Sequence, residues 1–144
     1  MVAAVGIVVL IAGLVAWVGQ SMAFLLPGTA VRLGFLEPEE EIDPTLHVIE
    51  AKAMGLVDMV LGWTLPASAL LMLFGHRLWP YLALIGAGVF MYFSALLILS
   101  RVYLKRRGRK VGRPASERAA YVFGAIWILC SLVMVALAVA DLSA

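Results

Sequence analysis

The sequence predicts an all-α, polytopic integral membrane protein: a four-transmembrane-helix bundle forming one membrane domain. Three observations predict it. Four apolar stretches, at about 2–25, 53–74, 79–100 and 119–140, are each long enough to cross a hydrocarbon core of about 30 Å at about 1.5 Å rise per residue. The chain is 64% hydrophobic with a mean hydropathy of +1.03, where roughly 45–50% apolar is usual for soluble domains. Its charges are also segregated. The connection 26–50 holds six acids and one arginine, and the connection 101–118 holds eight of the eleven Lys and Arg.

Four spans leave three connections, so the first and third share a side of the membrane. By the preference of basic loops for the cytoplasm, 101–118 is cytoplasmic, and 26–50 with it. Both termini and the turn Gly75–Leu78 then face outward, an N-out/C-out arrangement with only Arg77 among the basic residues outside. The net charge of +2 is therefore no sign of a nucleic-acid partner. A basic loop beside a bilayer meets anionic headgroups first, and no nucleic-acid binding is expected. Compact spans and short loops suggest a bacterial plasma membrane.

The first stretch has no Lys or Arg ahead of it and exceeds the 7–15 apolar residues of a secretory leader. It reads as a span despite the small-x-small tripeptide Ser21-Met22-Ala23. The second begins before the membrane, because Asp43-Pro44 pairs a capping carboxylate with proline at the first helical position. A helix from Pro44 to Phe74 is about 46 Å long, so its first turns project into the interface. Pro66 should kink it. The third carries Trp79 and Tyr81 at one end and Tyr103 at the other, interfacial positions that Tyr121 of the fourth shares. Ser116 is the expected cap of the fourth helix. Trp17, Trp63 and Trp127 lie deeper, as packing residues or bundle-facing donors. Gly13, Ala16, Gly86, Gly88 and the pair Ala120 and Gly124 are small enough to let helices approach closely.

Few residues could carry chemistry. Asp58 is the one acid within an apolar span, and an ionised carboxylate there should face the bundle interior. At similar depth the other helices offer Gln20 and Ser21, Ser94 or Tyr92, and Tyr121, with Arg101 or Lys105 able to reach back. The candidate is an intramembrane polar cluster of Asp58, Gln20, Ser94 and Tyr121. Asp58 reads either as a proton or cation relay or as a hydrogen-bonded residue fixing helix register. His47, Glu50, Met54 and Asp58 share one helical face, but this spacing matches no metal motif, and no metal or other cofactor is expected. Cys130 alone supports no intrachain disulfide or redox pair. Lys105, Arg106, Arg107, Arg109 and Lys110 are candidates for contact with lipid headgroups. The acidic and basic connections could also pair with each other, weakly if exposed. There is no nucleophile–base set and no nucleotide fingerprint.

Phe24-Leu25-Leu26-Pro27 closing the first helix, Arg32-Leu33-Gly34-Phe35, and the glycine-x-x-aspartate-x-x-x-glycine run Gly55–Gly62 together resemble small DoxX-like four-helix membrane proteins over about residues 5–105. Many such proteins carry an arginine just before the aspartate, where this chain has Val57. The resemblance implies the four-helix fold and, for some of the group, association with membrane oxidoreductase complexes. The function expected is that of a non-enzymatic accessory or interaction subunit, with a homo-oligomer or a membrane protein as possible partner. The alternatives are a small proton- or cation-coupled transporter using Asp58, and a subunit of a membrane oxidoreductase or of a lipid- or quinone-interacting complex.

Overall fold

A computed structural model describes residues 2–144. Four long helices, α1 (Val2–Leu25), α3 (Pro44–Leu73), α4 (Trp79–Arg106) and α5 (Pro114–Leu142), are each long and apolar enough to cross a membrane. A short helix, α2 (Pro27–Leu33), follows α1. The chain is an integral membrane protein built as a four-helix bundle. At most 39% of any span's most apolar window is buried, so most of each helix surface is left for lipid or a partner.

The helices run α1–α3–α4–α5 around the bundle, each packed along the next, while α1 and α5 touch only sparsely. The buried face of α1 is Gly6, Val9, Gly13, Ala16, Gly19 and Ala23, at spacings of three and four. That stripe of small side chains draws α1 against α3, because helices in lipid associate through close packing and not through water exclusion. A Cβ on Gly13 would sit 2.9 Å from Cδ of Pro66. Gly86 of α4 is tighter still, since its Cβ would lie 2.5 Å from the backbone nitrogen of Leu65. Gly88, expected at a similar contact, has nothing within 4 Å of a built Cβ and faces away from the bundle.

The two signals at the start and middle of α3 act as the sequence predicts. Asp43 caps the helix, accepting from the Thr45 N–H at 2.9 Å, and Pro44 is its first residue. Regular α-helix breaks at Gly62–Trp63 and resumes at Thr64. Gly62 is four residues before Pro66, where proline removes the backbone hydrogen bond and crowds the carbonyl. Side chains satisfy the neighbouring carbonyls: Trp17 donates to Met59 (3.1 Å), Trp63 to Val60 (2.8 Å) and Thr64 to Leu61 (2.6 Å). Trp127 likewise donates to Ala12 across the α1–α5 seam at 3.2 Å. The three deep tryptophans are thus backbone donors, although Trp63 is exposed and faces out of the bundle.

A π-helical turn at Ile49–Met54 lies upstream in α3. Such a turn carries one extra residue and rotates the side chains that follow. Glu50, Ala51 and Met54 are buried there.

Three boundaries differ from expectation. Helix α4 continues through Arg106, so 101–106 is helical and the connection narrows to 107–113. Ser116 does not cap α5; Arg113 holds the cap position, with its N–H donated to Glu37. The connection 26–43 contains α2, closed by Gly34 in the left-handed conformation (φ 79°) that glycine adopts without strain.

Candidate functional site

Both charged connections lie at one end of the bundle and are joined there. Asp43 donates its N–H to Lys110 O (2.8 Å) and Gly112 donates to Glu41 O (3.0 Å), making one antiparallel bridge around Ile42 and Val111. Beneath it Ile42, Leu46 and Val111 form a small apolar core. Arg109 pairs with Asp43 at 3.3 Å, and Lys110 donates to Glu40 O at 2.8 Å. Lys105 pairs with Glu117 at 2.7 Å. Much of the basic run expected at headgroups is thus engaged within the protein, while Arg106 lies over the Tyr103 ring. All five of its basic side chains remain exposed.

Glu37 completes this joint. It is buried and accepts from the Arg113 N–H at 3.1 Å, from Nε at 3.3 Å and from Nη2 at 3.3 Å. Burial pushes its carboxyl up, but hydrogen bonds from the Ser116 side chain and from Arg113 outweigh that and hold it below the ordinary 4.5. A depressed carboxylate stabilises the fold fully above the unfolded value and loses that contribution as pH falls through the folded one. The wild type should therefore lose thermal stability below about pH 4.5 more steeply than Glu37→Gln, whose acid limb flattens. Superimposable acid limbs in a thermal-unfolding series would show that Glu37 contributes nothing there.

A buried ion pair lies just inside this end. Arg101 of α4 and Glu50 of α3 are both buried and form a two-point ion pair: Nη1 donates to Oε1, and Nη2 to Oε2 at 3.0 Å. The π-helical turn sets Glu50 on the buried side, and Arg101 continues the buried line Ser94, Leu97, Arg101 on α4. Arg101 therefore does not reach Asp58, and neither does Lys105. His47, expected on one helical face with Glu50, lies against Glu39 at 3.5 Å.

The pair lines a crevice of about 480 Å³ between α1 and α5. Val15, Ala16, Gly19 and Gln20 of α1 form one wall, and Ala119, Ala120, Phe123 and Trp127 of α5 the other. Leu33–Glu37 covers its end below the joined connections. Val15, Leu33, Phe35 and Phe123 are large apolar side chains left exposed along it. The crevice opens where α1 packs along α3 and touches α5 only sparsely, with Trp127 donating to Ala12 across the seam.

Behind this crevice Asp58, Gln20 and Ser94 line a second cavity of about 20 Å³, room for one water molecule. The structure thus brings together three of the four residues expected as a polar cluster. Tyr121 lies elsewhere, donating to Glu117 at 2.9 Å. Asp58 is buried, and among the described residues no side chain pairs with its carboxylate. The two cavities share Ala16, Gln20, Leu97 and Trp127 as walls. Among the described residues no three His, Cys, Asp or Glu side chains are placed to hold a metal ion.

Neither a family model, nor a curated protein, nor a solved structure matches this chain.

Proposed function

We propose that this membrane protein is a non-catalytic lipid-binding bundle, holding the apolar chain of a membrane lipid in the α1–α5 crevice as an accessory unit to a membrane partner. The observation that carries this reading is the crevice itself. Its volume of about 480 Å³ falls within the roughly 300–1,000 Å³ of ligand pockets. Its walls are apolar, it lies along helix faces that meet the bilayer, and its polar groups gather at the end beside the charged connections. That gradient matches a lipid with its chain in the core and its head near the interface.

The test is native mass spectrometry of protein purified in mild detergent. Ala119→Trp places a large ring on the exposed edge of the crevice and should remove most co-purifying lipid. Leu129→Trp, on the exposed apolar face of α5 outside the crevice, should leave it bound. Equal lipid retention by both variants would contradict the proposal.

A second reading, a proton- or cation-coupled carrier using Asp58, is favoured by that carboxylate's lack of a partner. Under it Asp58→Asn should keep or raise thermal stability, by as much as about 2 kcal/mol, since an unpaired buried charge is removed. A clear loss of stability would mark Asp58 as structural. The cytoplasmic placement of both connections and a bacterial plasma membrane remain proposals resting on the charge asymmetry. Thiol labelling of Gly108→Cys from each side tests the placement. Kinship with DoxX-like proteins is a proposal resting on the Gly55–Gly62 run.

A further inference from the structure

We propose that Asp58 is a proton-binding site that exchanges its proton with the end of the bundle carrying the charged connections, by way of Gln20 and the α1–α5 crevice. The proposal deepens the second reading above, resting on its functional Asp58, and names the ion as a proton. Three observations carry it.

The first is a carboxylate that is unpartnered but not sealed. Asp58 is 9% exposed, and among the described residues no side chain pairs with it. The buried side-chain atoms that are both unpartnered and closed off are Ser21 Oγ, His47 Nδ1, Arg101 Nε and Ser131 Oγ. The Asp58 oxygens are not among them, so the carboxylate opens onto the cavity it lines, with its room for one water molecule.

The second is what surrounds that space. Helix α1 presents Trp17 and Gln20 to it, α4 presents Phe90, Phe93 and Ser94, and α5 presents Trp127. None of these side chains titrates or carries charge, so no counter-charge faces Asp58 from the helices packed around it. The ionisable groups of the neighbouring crevice already face opposite charges, Glu50 through Arg101 and Glu37 through Arg113. A lone carboxylate inside a membrane is costly until it is neutralised. Hard metal ions such as magnesium and calcium take about six or more oxygen ligands. Asp58, Gln20 and Ser94 cannot supply that shell in about 20 Å³, whereas a proton needs none.

The third is the route. The cavity and the crevice share Ala16, Gln20, Leu97 and Trp127 as walls, and of these Gln20 alone has a side chain that both donates and accepts. Away from the connections, Val9, Leu65, Ala69, Ala83, Ala87 and Met134 close the bundle interior, none of them more than 1% exposed. Asp58 therefore meets water from one side. The proton arrives along water hydrogen-bonded to the Gln20 amide, and carboxylate plus hydronium becomes carboxylic acid plus water.

Infrared difference spectroscopy of the full-length protein in lipid nanodiscs, stepped between about pH 5 and about pH 9, reads the site. The carbonyl stretch of a protonated carboxyl should vanish at the alkaline step and shift when the aspartate carboxyls carry the heavy carbon isotope. It should be missing from Asp58→Asn. No such aspartate band in the wild type, or one that survives in Asp58→Asn, would overturn the proton site. After a rapid pH jump, Gln20→Leu and the crevice-filling Ala119→Trp should each slow the change in this band at least about tenfold. Leu129→Trp, outside the crevice, should leave the rate unchanged. Equal rates in all of these proteins would overturn the route. An exchanging Asp58 band in a protein that drives no solute uptake into vesicles under a pH gradient would uphold the proton site and contradict the carrier reading.

Discussion

Arg101→Met or Glu50→Leu alone should cost about 3–5 kcal/mol of stability, because each strands the other's buried charge in a poorly solvated site. The double variant should recover most of that loss, since replacing both ions with apolar groups of similar volume removes the unpaired charge and keeps the packing. Thermal unfolding in detergent of the four proteins in the cycle measures the coupling directly. The pair spans α3 and α4 at 51 residues' separation, so it also fixes how the π-helical turn meets its neighbour. Single variants close to wild type would mean that water reaches the pair and that it is not buried as the packing indicates.

Gly86→Ala should destabilise by about 1–3 kcal/mol, whereas Gly88→Ala should be neutral or stabilising by up to about 1 kcal/mol. Both changes add the same methyl group to the same helix, two residues apart. At Gly86 that methyl meets the backbone of Leu65, which has no rotamer to relieve the overlap; at Gly88 it meets nothing. The site on α3 beside Gly86 already departs from regular helix near Gly62–Trp63, so the methyl would separate α3 from α4 where the bundle is least regular. Equal thermal stability of the two variants would show that the helices lie farther apart at Leu65.

The fold was legible because its signals are local and strong. Hydropathy over twenty residues marks each span, Asp43-Pro44 marks a helix start, and Pro66 marks a break whose position follows from the carbonyl four residues earlier. That Gly13 lets a helix approach closely was legible too, but Gly88 shows the limit: a small residue permits close approach without showing which face has a neighbour. The site was legible only in fragments. Asp58, Gln20 and Ser94 could be placed by depth along their helices. Glu50 and Arg101 could not be paired, because nothing in the sequence announces the π-helical turn that sets the register of Glu50. One signal was present: Ser94, Leu97 and Arg101 repeat at three and four, so Arg101 lies on the buried face of its helix and not in a loop. In the sequence Glu37 is one acid among several in an acidic connection. Its distinction is a tertiary contact with Arg113, 76 residues away.

The crevice as a lipid site is tested most directly by where a photoreactive acyl ester probe attaches when the wild-type protein is irradiated and its peptides are mapped by mass spectrometry. Labels should concentrate on the α1 segment 15–20 and the α5 segment 115–127, the two walls. Ala119→Trp should abolish that concentration while leaving diffuse labelling of the outer surface. Labels spread evenly over exposed apolar positions such as Ile7, Ile85 and Leu129, with no excess along the α1–α5 seam, would contradict it.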